Sequence, residues 1–140
     1  MSRRQAREVA LQALFQLDLN PAAAAAETEE YRQNAVNAAL GESKPMTDDD
    51  REYARELVRG AREHLADLDA RIAAYSREWK LGRMSGIDRN IVRLAAYELQ
   101  YGDETLTPNI IINEAVELAK KFATDDSGRF VNGILGAMVK

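Results

Sequence analysis

Residues 107–138 read TPNIIINEAVELAKKFATDDSGRFVNGILGAM. Thr107 has the chemistry of an N-cap, and Pro108 suits the first helical position, where a missing N–H costs nothing. Ile111, Ala115, Leu118, Ala119 and Phe122 then recur at steps of three and four, the period of one helix face. Thr124 opens a second helix whose core face is Phe130, Val131, Ile134, Leu135 and Met138. Gly133 and Gly136 are poor residues for a lone helix, which points to close approach by another one. Two capped amphipathic helices with a short break between them set the pattern for the whole chain: an all-α bundle.

The upstream sequence reads the same way. Helix one runs from Arg3 to Leu19 on the stripe Ala6, Val9, Ala10, Ala13, Leu14 and Leu17, and Asn20-Pro21 ends it. Ala22 to Leu40 is a weaker second helix, with Gly41 as its C-terminal cap. Thr47 caps a third helix, and Asp48, Asp49 and Asp50 favour its positive N-terminal end. Tyr53, Leu57, Ala61, Leu65, Leu68, Ile72, Tyr75 and Trp79 continue one stripe. It divides into two helices at a bend, where Asp67 or Asp69 suits the second cap. Ser85 and Asp88 resemble a capping box before a fifth helix carrying Ile87, Ile91, Leu94, Ala95 and Leu99. No stretch alternates in the manner of a strand. Seven helices result, in one domain over residues 1–140, with a mobile loop expected around 41–48.

The 140 residues contain no cysteine and one histidine, His64, so disulfides, thiolate metal sites and multi-histidine sites are excluded. His64 is expected on the surface. No apolar run approaches a membrane span, and MSRRQAREVA is no signal peptide, so a cytoplasmic protein without membrane contact is expected. No phosphate loop, metal spacing or nucleophile elbow appears, which argues against an enzyme and against a cofactor. The net charge of −4 is uneven: residues 27–69 carry twelve acids against six bases, while both flanks are slightly basic. Bulk charge therefore does not attract nucleic acid, and any such binding needs a local patch and a helper.

Three features offer chemistry. Arg3, Arg4 and Arg7 border the first apolar stripe. Cations in a first turn oppose the helix dipole by about a few tenths of a kcal/mol each, so local stability does not account for them. Guanidinium groups bind phosphate in two-pronged fashion and stack on bases; a solvated face or pairing with Glu8 is the plainer alternative. Second, Arg83, Arg89 and Arg93 interleave with Trp79, Tyr97 and Tyr101, a pattern that suits single-stranded nucleic acid. The simpler account puts Trp79 and Tyr97 in the core. Glu98 falls on the buried side and needs a partner. Third, Asp125, Asp126, Ser127, Arg129 and Phe130 gather at one helix start, after Lys120 and Lys121. They read first as caps, and also as groups able to meet a base edge.

These residues resemble the NusB family of bacterial transcription antitermination factors. The likeness is carried by Arg3-Arg4-x-x-Arg7-x-x-Ala10-x-x-Ala13-Leu14-Phe15-Gln16, by Trp79 to Tyr101, by Ile112 to Lys120 and by Ser127 to Leu135. Residues 20–50 match poorly. The resemblance implies a seven-helix NusB-like fold, two packed three-helix bundles with an arginine-rich N-terminal helix. It implies binding of boxA, a single-stranded RNA element of ribosomal operon leaders, jointly with NusE, a small-subunit ribosomal protein. Such a complex accompanies RNA polymerase and prevents premature termination. Residue by residue, Arg3, Arg4, Arg7, Asp126, Arg129 and Phe130 fall on the RNA surface implied by the family. Asp88, with Arg83 and Arg89, falls on the NusE-facing side. Alternatives are a self-associating structural bundle, whose sign is a homodimer, and kinship with the RNA-binding N-terminal domains of ribosomal RNA methyltransferases. With Lys140 as the last residue, no methyltransferase domain is expected.

Overall fold

The computed structural model describes residues 3–19, 27–76 and 84–139, and every regular element among them is helical. In chain order these are α1 (Arg4–Asp18), α2 (Glu29–Glu42), α3 (Asp48–Glu63), α4 (Leu65–Tyr75), α5 (Gly86–Tyr101), α6 (Pro108–Phe122) and α7 (Asp125–Met138). The chain divides into two compact units, Met1–Glu63 and His64–Lys140. The first holds three helices, each packed on the other two. The second holds four: α5, α6 and α7 pack on one another, and α4 lies on α5 and α7. The second unit thus has one helix more than a three-helix bundle.

Hydroxyl caps start the helices where the sequence places them. Thr47 Oγ1 accepts from the Asp50 amide at 3.1 Å, and Ser85 Oγ from the Asp88 amide at 3.0 Å. Thr107 and Thr124 cap α6 and α7 in the same way. The expected stripe of α1 is wholly buried.

Other expectations are corrected. Helix two is capped by Thr28 and runs to Glu42, past Gly41, which has no left-handed backbone; Ser43 takes the C-cap. The alanine run 22–26 and Asn20-Pro21 lie outside the described residues, as does Trp79. Neither Asp67 nor Asp69 caps α4: His64 stands there, without a side-chain cap bond. Phe122, at the end of α6, is 41% exposed. Gln5 Nε2 donates to the carbonyl of Lys44, in the linker after α2, at 2.8 Å.

Gly133 and Gly136 face open space, so no neighbouring helix demands them. The close approach falls at Gly128, where an added Cβ would sit 3.2 Å from Lys120 Cγ, and at Gly102, where it would run into the Glu98 carbonyl oxygen.

Each unit also buries an arginine. Arg62 of α3 grips Glu27 with two prongs, Nη2 to Oε1 at 2.8 Å and Nε to Oε2 at 3.1 Å; Arg32 Nε adds a third bond at 2.6 Å. Arg93 of α5 grips Asp69 of α4 at 2.7 and 2.8 Å and donates to Asn90 Oδ1 at 3.4 Å. Burial pushes the Glu27 carboxyl upward, but the hydrogen bonds and charges of Arg62 and Arg32 outweigh it and hold the group below its ordinary 4.5.

A depressed acid stabilises the fold above its unfolded pKa, and the contribution fades as pH falls through the folded value. Glu27→Gln should therefore lower stability at neutral pH by about 3 kcal/mol, because it strands a buried guanidinium. In urea melts, the gap between variant and parent should close on acidification below the ordinary carboxylate range. Gly133→Ala and Gly136→Ala should each gain up to about 1 kcal/mol from helix propensity. Gly102→Ala should lose about 1–3 kcal/mol to overpacking, and thermal melts of the three variants check the contrast.

Candidate nucleic-acid interface

In the first unit the site is the opening turn of α1 against α3. Arg3 precedes the helix, and its carbonyl accepts from the Arg7 amide at 3.0 Å. One turn separates these two side chains, so both reach the same neighbour. The Arg3 guanidinium lies over the Tyr53 ring, 3.9 Å from its centroid, and that of Arg7 lies 5.9 Å from it. Both distances fall within cation–π range.

The three arginines are not equivalent. Arg3 and Arg4 are exposed. Arg7 is only 4% exposed, so a solvated face does not describe all three. Its place on the flank of the stripe, one residue after buried Ala6 and three before buried Ala10, brings it under the α1–α3 contact. Tyr53 is half-buried. The sequence marks it as a core position and gives no sign that it meets Arg3. Fifty residues separate the two, and only the packing of α1 on α3 joins them.

In the second unit the N-terminal ends of α5 and α7 meet. The Ser127 hydroxyl donates to Asp88 Oδ2 at 3.3 Å. Asp88 Oδ1 is buried with no hydrogen-bond partner among the described residues. Asp126 and Arg129, one turn apart and both well exposed, form an ion pair, and Phe130 beside them is half-buried. Arg89 is half-buried, and its Nη1 donates to the Met84 carbonyl at 3.2 Å. Asp88 and Arg89 thus carry contacts inside their own unit, and Arg83 lies outside the described residues.

The interleaved aromatics separate by depth: Tyr97 is buried and Tyr101 exposed. His64, expected at the surface, stacks on Tyr101 with ring centroids 4.2 Å apart, because it begins α4 beside the end of α5. Glu98 is buried, as its place among Ile91, Leu94 and Ala95 requires. Among the described residues no group of His, Cys, Asp and Glu is set to hold a metal, and no helix is long and apolar enough to cross a membrane.

An all-helical fold in two units, with arginines displayed on a first helical turn and a polar helix start in the second unit, defines a helical binding module. A sequence model of the NusB family matches residues 4–140. The transcription antitermination protein NusB of Symbiobacterium thermophilum is 45% identical, over 100% of this chain and 90% of its own length. That of Bacillus subtilis is 44% identical, over 96% and 92%. Among solved structures, NusB of T. maritima superimposes with a TM-score of 0.83 at 34% identity, covering 99% of this chain and 90% of that one. A complex of antitermination factors NusB and NusE with dsRNA gives 0.82 at 28% identity, covering 97% and 94%. The chain belongs to the NusB family.

The Thr124 cap fixes where α7 begins, and with it the placing of Asp126, Ser127 and Arg129. Thr124→Ala should cost about 1 kcal/mol. It should raise amide hydrogen exchange in the first turn of α7 and leave α1 unchanged.

Proposed function

We propose that this protein is a non-catalytic transcription antitermination factor. It binds boxA RNA of ribosomal operon leaders together with NusE, and the assembly accompanies RNA polymerase in the cytoplasm and prevents premature termination. The observation that carries the reading is the exposed Arg3–Arg4 pair at the start of α1, with the Arg3 guanidinium over the Tyr53 ring, in a chain of the NusB family. The names borne by the relatives and the RNA complex of a structural neighbour support it.

Arg3 and Arg4 meet phosphates and unpaired bases. Arg7, set beneath them, adds charge and holds the turn against α3. Asp126, Arg129 and Phe130 contact the RNA at the start of α7, where the Asp126–Arg129 ion pair opens so that carboxylate and guanidinium each meet a base or phosphate. Asp88 and Arg89 lie toward NusE, and the resemblance assigns Arg83 to the same contact. An acidic chain gathers little RNA by bulk charge, so a basic partner on the same RNA completes the groove.

Anisotropy titrations with boxA, a scrambled strand and a duplex, each with and without NusE, test the reading. The protein should prefer boxA, and NusE should tighten that binding. Replacing Arg3, Arg4 and Arg7 by Ala should weaken it and flatten its salt dependence by about 0.7 in log–log slope for each phosphate no longer neutralised. Equal binding of boxA and scrambled RNA would refute the assignment. A homodimer in light scattering that persists when NusE is added would favour the self-associating alternative.

A further inference from the structure

We propose that Tyr53 is a positioning residue for RNA recognition: its ring holds the Arg3 guanidinium flat, so that the opposite face of Arg3 stacks on an unpaired base. The proposal rests on the functional reading above and adds a residue from a different helix to the RNA surface.

Four observations carry it. The Arg3 guanidinium carbon lies over the Tyr53 ring, 3.9 Å from its centroid and well inside cation–π range. Arg3 is exposed although it lies over the ring, so it remains within reach of a ligand. Tyr53 is half-buried on α3, between an acidic first turn and buried Ala54, Leu57 and Val58, so it is a fixed support. Finally, Arg7 reaches the same ring at 5.9 Å and is itself buried, which fixes the ring from the side of α1.

The chemistry follows from entropy and geometry. An arginine on a helix end samples many rotamers, and ordering it at the moment of binding carries an entropic penalty. A guanidinium already lying on a ring has given up most of that freedom. With its plane turned parallel to the ring, a base placed on the outer face would complete a stack of ring, guanidinium and base. Guanidinium planes stack on bases readily, and every base offers a π-face. The ligand class is therefore an unpaired nucleotide, and Arg4, exposed beside Arg3, is placed to meet the adjoining phosphate.

The test compares Tyr53→Phe, Tyr53→Leu and Arg3→Ala in the full chain with NusE. Three readouts are used: boxA anisotropy at several salt concentrations, quenching of 2-aminopurine placed at successive positions in boxA, and the ring-current shift of Arg3 side-chain signals in the RNA-free protein. Tyr53→Phe should bind like the parent. Tyr53→Leu should lose the Arg3 ring-current shift, weaken boxA about five- to tenfold, abolish quenching at one position, and keep the parental salt slope because no charge has left. Arg3→Ala should abolish the same quenching and also flatten the slope.

Parental affinity and quenching in Tyr53→Leu, alongside weakened binding in Arg3→Ala, would overturn the positioning role while leaving the RNA reading intact. If Arg3→Ala too binds like the parent, Arg3 is no RNA contact and both fall. Thermal melts and the Phe variant separate positioning from damage. If Phe and Leu lose RNA binding alike with lowered melting, Tyr53 is a core residue only, and the proposal fails.

Discussion

Two buried guanidinium groups of this protein meet carboxylates, one in each unit. Arg62 and Glu27 join α3 to the residue preceding the Thr28 cap of α2. Arg93 and Asp69 join α5 to α4. Desolvating an isolated charge is prohibitive, whereas a two-pronged pair neutralises it and tolerates little change in register. Hydrophobic stripes alone would allow helices to slide by a turn. A planar fork locked on a carboxylate does not. In the first unit the clamp fixes α3, and α3 carries Tyr53. In the second it fixes α5, and α5 carries Asp88, against which the start of α7 is set. Both faces assigned to ligand are thus held by elements whose register an ion pair determines.

The two assigned surfaces differ in what they offer. The α1 turn presents positive charge without an acidic residue in the turn itself, at the cost of an unfavourable helix dipole. The α7 start gives its charges polar partners, Asp126 with Arg129 and Asp88 with the Ser127 hydroxyl. A surface of the first kind attracts a polyanion. One of the second kind discriminates, because a ligand has to offer bonds as good as those it displaces.

Helix number, the hydroxyl caps of α3, α5, α6 and α7 and most apolar faces were legible in the sequence because they are local facts. A threonine before a periodic run, a proline in the first turn and apolar residues at steps of three and four depend on nothing far away. What stayed hidden depended on distant partners. The burial of Arg62 is a fact of packing, and nothing in the chain singles out Glu27 among twelve acids in residues 27–69. Gly133 and Gly136 suggest a close approach that belongs instead to Gly128, because composition marks small residues and only packing shows which of them is crowded. Arg3, Arg4 and Arg7 were visible as a cluster. Their division into two exposed groups and one covered group was not, since it is α3 that covers Arg7.

That division bears on how so acidic a chain can recognise RNA. If only Arg3 and Arg4 neutralise phosphates, the salt slope on a single strand is about −1.4, and affinity falls only about sevenfold between about 50 and 200 mM salt. Proteins that hold nucleic acid by charge alone show slopes several times steeper. On the proposed site, the electrostatic share of binding would therefore be small, and discrimination between strands would have to come from terms that salt does not screen: stacking, hydrogen bonds and contacts supplied by a partner. Covering Arg7 moves the site in that direction. It removes one mobile cation from the surface and uses it to steady the ring beneath another, so that what the turn loses in attraction it gains in defined geometry.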